Sequence, residues 1–213
     1  MGSNNSTLSS ALKLWVCLSE DLKQRDSRLR PLVEKLGQPT IHFETNYFRA
    51  LVESILSQQL APKAALSIIQ KFTALEKPFP TTSSILSWPA PRLRRAGVSP
   101  QKVKYIRALA RAWEKREYCQ DWEKLPDDEV ITRLTEIKGI GVWTAQMFLI
   151  FSLGRPDVLP CGDYGIRRGI MLLFKLPELP HPKEIPGLVP HWSGLSSVAS
   201  WYLWKSLDQK LLA

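Results

Sequence analysis

The stretch Ile137-Lys138-Gly139-Ile140-Gly141-Val142-Trp143-Thr144-Ala145 decides the fold. Two glycines flank one apolar residue, and glycine enters the left-handed backbone region at no steric cost, so Gly139-Ile140-Gly141 predicts a tight turn. Apolar residues at helical spacing precede the turn, and an apolar run from Met147 to Leu153 follows it. The segment is therefore predicted as a helix, a glycine hairpin and a second helix.

The hairpin has two interpretations. A glycine turn that opens a helix presents unpaired backbone N–H groups at the positive end of the helix dipole, which suits a phosphate. An ordinary connection between two packed helices explains the glycines equally well, so other parts of the chain must decide between them.

Composition narrows the class of protein. The 213 residues include 29 Lys and Arg against 20 Asp and Glu, a formal charge of +9 that favours an anionic partner. The cysteines Cys17, Cys119 and Cys161 lie far apart and the histidines do not cluster, which argues against disulfides and metal clusters. No apolar run reaches membrane-spanning length. The sequence predicts a soluble intracellular protein that does not contact membranes.

The remaining chain predicts an all-α fold of roughly ten helices, because apolar residues recur at helical spacing and strand-like alternation is missing. Thr45 or Asn46 is predicted to cap one helix, and Ser99-Pro100 to begin another. Residues 1–7 are polar and are expected to fray.

Charge is concentrated between Pro91 and Glu117, where nine basic residues face two acidic ones, a net of +7. Most charge runs are solvated helix faces. Concentrating most of the net charge in one segment also fits a surface that contacts phosphates.

Asp163 follows a Pro-Cys-Gly turn and precedes a predicted helix. Its simplest role is an N-cap, and a compatible second role is a fixed carboxylate that stabilises a sugar cation or orients a water molecule. Six large side chains could line a pocket for a flat, cationic base, although ordinary core packing explains each one alone. They are Trp143, Tyr164, Met147, Trp201, Phe43 and Phe48.

Taken together, these segments resemble the helix-hairpin-helix DNA glycosylases, in particular the 3-methyladenine DNA glycosylase II (alkylpurine) family. The match runs from about Phe43 to Trp204. It is carried by Ile55–Leu60, Gly97–Lys102, Ile137–Ala145, Leu159–Tyr164 and Val198–Trp204.

The resemblance implies two helical subdomains of the HhH-GPD glycosylase fold, with an active-site cleft between them. Residues 1–46 would join 134–213 in one subdomain, and residues 47–133 would form the other and lead into the hairpin.

The resemblance also implies a role for each matched position. Asp163 would be the catalytic aspartate, the six pocket side chains would hold the base, and Gln59 or Leu60 would be the wedge inserted into the duplex. Phosphate contacts would come from the hairpin and the basic segment, at Lys138, Gly139, Ile140, Gly141, Thr144, Arg107 and Arg111. A monovalent ion would bind the backbone carbonyls of Thr135, Ile137 and Ile140.

Trp143 stands where bifunctional relatives carry the lysine that forms a Schiff base, which implies hydrolysis without strand cleavage. The expected protein is therefore a monofunctional glycosylase of base excision repair. It would act as a monomer, without a cofactor, on double-stranded DNA containing alkylated bases of the 3-methyladenine type. Its compartment would be the cytoplasm and nucleoid of a bacterium or the nucleus of a eukaryote.

Three departures from the family pattern leave an alternative open. Lys138 replaces a common proline, Ala61-Pro62 follows the wedge, and Ser196-Ser197 stands where an Arg-Ser pair is expected. The changes at Ala61-Pro62 and Ser196 motivate a second hypothesis, a damaged-DNA-binding protein with the same fold and little or no excision. A glycosylase for uracil or oxidised bases is a weaker third.

Overall fold

The computed structural model describes residues 2–115 and 121–212, with side chains from residue 10 onward. Across these ranges the regular structure is entirely helical, which confirms the all-α prediction. Arg116, Glu117 and Cys119 lie outside the described residues. The α-helices are α1 Gly2–Arg25, α2 Arg30–Leu36, α3 Tyr47–Ser57, α4 Pro62–Thr73, α5 Thr82–Ser87, α6 Ala90–Arg95, α7 Pro100–Trp113, α8 Asp127–Thr135, α9 Val142–Phe151, α10 Tyr164–Phe174, α11 Ile185–Leu188 and α12 Ser196–Asp208.

Two local predictions about helix starts have clear outcomes. Asn46 accepts the Arg49 N–H at 2.9 Å, and Ser99 accepts the Lys102 N–H at 3.3 Å with Pro100 as the first helical residue, so both predicted caps are confirmed. Helix α1 begins at Gly2, so it includes residues 2–7, whose fraying stays a prediction.

The chain divides into two compact units. The first comprises Met1–Phe43 and Leu149–Ala213, and the second comprises Glu44–Phe148. The hairpin segment 134–148, which was predicted to group with the two ends of the chain, instead groups with the central residues. Its side-chain contacts explain this, because Phe148 packs against Tyr47 at 5.3 Å and against Trp122 at 5.6 Å between ring centroids.

The core of the first unit forms where α12 packs against the other helices of that unit. Gly169 of α10 lies so close to α12 that an added Cβ would stand 3.1 Å from the Leu203 Cβ. Trp15 is fully buried and donates its indole N–H to the Gly154 carbonyl at 3.1 Å. The Tyr202 hydroxyl donates to the Gly37 carbonyl at 2.8 Å. These bonds connect the two separated segments of the chain that build this unit.

A buried carboxylate also joins these segments. The Asp26 side chain has no exposed surface, and its oxygens accept hydrogen bonds from Arg28 Nε at 2.9 Å and Trp192 Nε1 at 3.0 Å. His191 Nε2 lies 2.8 Å from Asp26 Oδ2. Burial alone would raise the pKa of Asp26, but the hydrogen bonds from Arg28, His191 and Trp192 outweigh it and lower the pKa to about 2.

This carboxylate predicts a specific loss of stability in acid. The folded pKa of about 2 lies below the ordinary value of 3.8, so the contribution is present above about pH 4 and is lost as the pH falls towards 2. We expect protonation of Asp26 to lower the free energy of unfolding by about 2 kcal/mol. Urea unfolding of wild type and Asp26→Asn across this range measures it. The two curves should converge in acid, and a gap that does not change with pH would contradict the prediction.

The second unit is built around α3 and α7. Helix α3 buries Phe48, Leu51, Val52, Ile55 and Leu56, and α7 buries Val103, Ile106, Leu109 and Ala110. Their shared apolar faces fix the position of the turn that follows α3 and of the side chains at the start of α7. Among the residues that the structure describes, no helix is long and apolar enough to cross a lipid bilayer.

Candidate functional site

The glycine hairpin connects α8 to α9 in the second unit. Gly139 has φ +101°, and a Cβ at this position would lie 2.2 Å from the Tyr105 ring. The Ile140 N–H donates to the Ile137 carbonyl at 3.0 Å, and both isoleucine side chains are buried. Glycine is therefore required at position 139 for two reasons. The backbone is in the left-handed region, and the Tyr105 ring leaves no space for a Cβ.

Gly141 has a different environment. It is exposed, its φ is not in the left-handed region, and an added Cβ would meet no atom within 4 Å. Its carbonyl accepts the Ala145 N–H at 3.1 Å, so α9 begins beside it with N–H groups that have no intrahelical partner. Lys138 is exposed, whereas the Thr144 side chain is buried. The backbone of this turn and Lys138 are accessible, but the Thr144 side chain is not.

The predicted wedge lies on a turn directly after α3. Gln59 adopts φ +57°, which is uncommon for a residue other than glycine, and the Leu60 N–H donates to the Ser57 carbonyl at 3.3 Å. Gln59 is exposed and Leu60 is 38% exposed, although leucine is usually buried. Both side chains predicted to enter a duplex are thus on the surface.

The structure brings the wedge turn and the hairpin together. The Gln58 side-chain amide donates from Nε2 to the Gly139 carbonyl oxygen at 2.9 Å, across 81 residues of sequence. The predicted wedge and the predicted phosphate-binding hairpin are therefore neighbours within the second unit.

The basic segment is less uniform than its sequence suggests. Three of its cations donate to backbone carbonyls inside the second unit, namely Arg92 to Leu75, Lys102 to Leu56 and Gln58, and Arg107 to Trp88. The Arg107 bond is 2.5 Å long, and its Nε is buried with no hydrogen-bond partner among the described residues. That guanidinium faces the protein, which argues against the predicted phosphate contact at Arg107. Arg111 is exposed, and its contact with phosphate stays a prediction.

The carbonyls predicted to bind an ion lie around the start of the hairpin. Thr135 is the last residue of α8, and the Ile137 carbonyl already accepts the Ile140 N–H while retaining a second lone pair. Neutral carbonyl oxygens suit a monovalent cation, so the donor set fits the predicted ion. Among the described residues, no three His, Cys, Asp or Glu side chains are grouped as a site for another metal.

Asp163 lies at the N-terminus of α10 in the first unit. Its Oδ1 accepts the Ile166 backbone N–H at 2.9 Å, so the predicted N-cap is confirmed. The same oxygen accepts the indole N–H of Trp204 at 2.9 Å. A carboxylate held by two donors has a fixed position and orientation, which an electrostatic role in catalysis requires.

Trp204 is a partner of Asp163 that lies outside the site residues predicted from the sequence. Gly165 leaves space for it, because a Cβ there would lie 3.0 Å from both Asp163 Oδ1 and Trp204 Cδ1. The Trp204 ring also packs on Phe151, with centroids 5.8 Å apart. The only trace of this contact in the sequence is Gly165, a residue without a side chain in the first turn of α10.

Serines at the start of α12 anchor the loop that leads to Asp163. Ser196 Oγ donates to Asp157 Oδ1 at 2.6 Å, and Ser197 Oγ accepts the Val158 N–H at 2.8 Å. Ser196 and Ser197, which stand in place of the expected Arg-Ser pair, are therefore buried and hydrogen-bonded within the protein.

The six predicted pocket side chains separate into two groups. Trp143 is 44% exposed, Tyr164 is 64% exposed and Met147 is half-buried. The other three are buried in the cores of their own units. Phe43 packs against Trp15 at 6.0 Å, Phe48 against Trp113 at 5.7 Å, and Trp201 against Tyr202 at 5.0 Å.

Comparison with known proteins identifies the class. The profile of the family described as HhH-GPD superfamily base excision DNA repair protein matches residues 52–191. DNA-3-methyladenine glycosylase 1 of Schizosaccharomyces pombe is 36% identical over 75% of this chain and 72% of its own length. The alkylbase DNA glycosidase-like protein mag2 of the same yeast is 30% identical over 86% of this chain and 90% of its own length.

Solved structures agree. The S. pombe 3-methyladenine DNA glycosylase Mag1 in complex with abasic DNA superposes with a TM-score of 0.76, at 33% identity over 86% of this chain and 92% of its own. A DNA-3-methyladenine glycosidase of Bacillus halodurans gives 0.76 at 36% identity over 88% of both chains. The chain belongs to the HhH-GPD superfamily of base excision DNA repair proteins.

Proposed function

We propose that this protein is a monofunctional DNA glycosylase that hydrolyses the N-glycosidic bond of alkylated purines after base flipping and leaves an abasic site. One observation carries the proposal. The Asp163 carboxylate is held by two hydrogen bonds in a chain that is 36% identical to a DNA-3-methyladenine glycosylase. The partner is double-stranded DNA with alkylated bases, bound by a monomer in the compartment that holds the chromosome.

The chemistry needs little beyond a fixed negative charge. The bond between C1′ and the base nitrogen breaks, and its electron pair leaves with the base and neutralises the positive charge of the alkylated purine. Asp163 stabilises the oxocarbenium-like sugar that remains. Water then adds to C1′ and releases one proton to Asp163 or to solvent. The products are a neutral free base, an abasic site and a proton.

The exposed aromatic side chains suit such a substrate. Trp143 and Tyr164 are proposed as stacking surfaces, because the face of an aromatic ring attracts a positive charge and an alkylated purine is flat and cationic. Met147 is proposed as an adaptable apolar side chain that contacts a flipped base. Trp143 also lacks the amine that forms a Schiff base, so the proposed reaction ends at the abasic site.

DNA binding is proposed to centre on the second unit. The open backbone at Gly141 and the N-terminus of α9 would accept a phosphate, with Lys138 beside them. The carbonyls of Thr135, Ile137 and Ile140 would hold a monovalent cation, whose charge would favour the same phosphate. Gln59 or Leu60 would fill the space left by the flipped nucleotide, whose extrusion costs a few kcal/mol.

Base release from methylated DNA tests the proposal. Duplex DNA treated with a methylating agent is incubated with excess protein, and free 3-methyladenine and 7-methylguanine are measured. We expect release of free base and alkali-sensitive abasic sites without direct strand cleavage. Salt-sensitive binding without base release would overturn the proposal and favour the damage-binding alternative. Release of only uracil or oxidised bases from a substrate panel would instead indicate the third hypothesis.

The two arginines of α7 give a matched prediction for DNA binding. Arg111→Ala is expected to reduce the slope of log affinity against log salt by about one, because an exposed guanidinium at a phosphate releases a counterion. Arg107→Ala should leave that slope unchanged, because its guanidinium donates to Trp88. Affinities at four salt concentrations measure both. Equal slopes for the two variants would contradict the assignment.

A further inference from the structure

The turn that carries the wedge is held in an unfavourable conformation. Gln58 has φ −50° and ψ 132°, Gln59 has φ +57°, and the Leu60 N–H donates to the Ser57 carbonyl. These are the features of a type II turn, whose third residue must have a positive φ and is normally glycine or asparagine. Glutamine is strained there, so something outside the turn must maintain it.

Lys102 makes the contact that can do so. Its Nζ donates to the Leu56 carbonyl at 2.7 Å and to the Gln58 carbonyl at 2.8 Å. Burial lowers the pKa of this lysine, as expected for an ammonium withdrawn from solvent. The side chain is therefore directed into the second unit at the end of α3.

The location of Lys102 in its own helix supports a role at α3. It is the third residue of α7, where the positive end of the helix dipole disfavours a cation. At the end of α3 the situation is reversed, because the last carbonyls have no intrahelical partner and the dipole favours positive charge. Its ammonium thus stabilises α3 and the turn rather than α7.

The Gln58 carbonyl is the atom that distinguishes the two common turn types. Types I and II differ by a rotation of the peptide between the two central residues, here Gln58 and Gln59. In a type I turn Gln59 would have a negative φ without strain, and the Gln58 carbonyl would point away from its present donor.

We propose that Lys102 is the positioning residue of the wedge, holding the Gln58 carbonyl so that Gln59 stays left-handed and Gln59 and Leu60 are presented for insertion into DNA. This inference rests on the proposed glycosylase function. Helix α7 also supports the hairpin, because Tyr105 lies under Gly139 one turn after Lys102. The Gln58 side chain connects the wedge turn to the hairpin through its hydrogen bond to the Gly139 carbonyl. One helix therefore sets the spacing between wedge and hairpin.

The test compares Lys102→Met with Lys104→Met, which removes an exposed charge two residues along the same helix. Single-turnover base release is measured on two duplexes with one 7-methylguanine. In the first duplex the lesion is paired with cytosine. In the second it lies opposite a tetrahydrofuran abasic analogue, so that extruding the unpaired base costs less free energy. Lys102→Met is expected to lose about tenfold or more on the paired lesion and less than about threefold on the unpaired one. Lys104→Met should keep the wild-type ratio between the substrates.

Other results of this experiment would overturn the positioning role or the proposed function. No loss of base release in Lys102→Met, or an equal fold loss on both duplexes, would leave the wild-type ratio and overturn the positioning role. A reduced salt dependence of DNA binding in Lys102→Met would overturn it too, since it would place the ammonium at a phosphate. Wild-type protein that releases no base from either duplex, and no 3-methyladenine from methylated DNA, would instead refute the proposed function.

A second variant covers failure to fold. If Lys102→Met shows no cooperative thermal transition, Lys102→Gln replaces it, because a neutral amide can still donate to one of the carbonyls. Its preference for the unpaired lesion should exceed that of wild type, and a wild-type ratio would overturn the proposal.

Discussion

Asp163→Asn is expected to lower single-turnover base release by about 10²–10³-fold while DNA affinity and thermal stability stay close to wild type. The substitution removes the negative charge but keeps the oxygen that accepts from Ile166 and Trp204. Asparagine is also as good an N-cap as aspartate, so α10 should form normally. Base release and binding to the same methylated duplex measure the two effects separately.

Asp157→Asn is the matched control for this experiment. Asp157 lies six residues earlier in the same loop and accepts from Ser196 at the start of α12, so it has a comparable structural role. We expect its base release to remain near wild type. Equal activity of Asp163→Asn and wild type would exclude the assigned role, and equal losses in both variants would indicate a general effect of altering the loop.

Gly139→Ala is expected to lower the free energy of unfolding by roughly 3 kcal/mol or more and to weaken DNA binding. A Cβ would stand 2.2 Å from the Tyr105 ring, and φ +101° is strained for any residue with a side chain. Overpacking and backbone strain each cost about 1–3 kcal/mol, and here they act at one position. Urea unfolding and duplex affinity measure the two consequences.

Gly141→Ala separates stability from binding at the same hairpin. The added methyl group meets no protein atom, so the free energy of unfolding should change by less than about 1 kcal/mol. If a phosphate approaches this backbone, the methyl group should still weaken DNA binding. Similar unfolding free energies for the two variants would contradict the different requirements at Gly139 and Gly141.

Local chemistry made much of the fold predictable. The caps at Asn46, Ser99 and Asp163 need only a side-chain oxygen two or three residues before a free N–H, so sequence neighbours suffice to identify them. The hairpin was predictable for the same reason, since glycine signals a turn wherever it occurs between two apolar helices.

Long-range use of side chains was not predictable. A stripe of cations has the same sequence pattern whether it faces phosphates or carbonyls, so nothing local separated Arg107 and Lys102 from exposed Arg111. The exposure of the aromatic residues was not predictable for the same reason. Trp143 and Trp201 both lie in apolar helical segments, and only the packing of the folded chain leaves Trp143 exposed and Trp201 buried. The bond between Trp204 and Asp163 spans 41 residues and needed the fold itself.

The double use of the Asp163 side chain has an evolutionary consequence. Because one atom caps α10 and the charge on the same group is proposed to perform the chemistry, fold and activity can be separated by a single replacement of oxygen with nitrogen. A lineage could therefore exchange a repair enzyme for a folded lesion sensor, or recover the enzyme, in one mutational step without crossing an unstable intermediate. Members of this superfamily that differ at this position would be the natural place to look for such conversions.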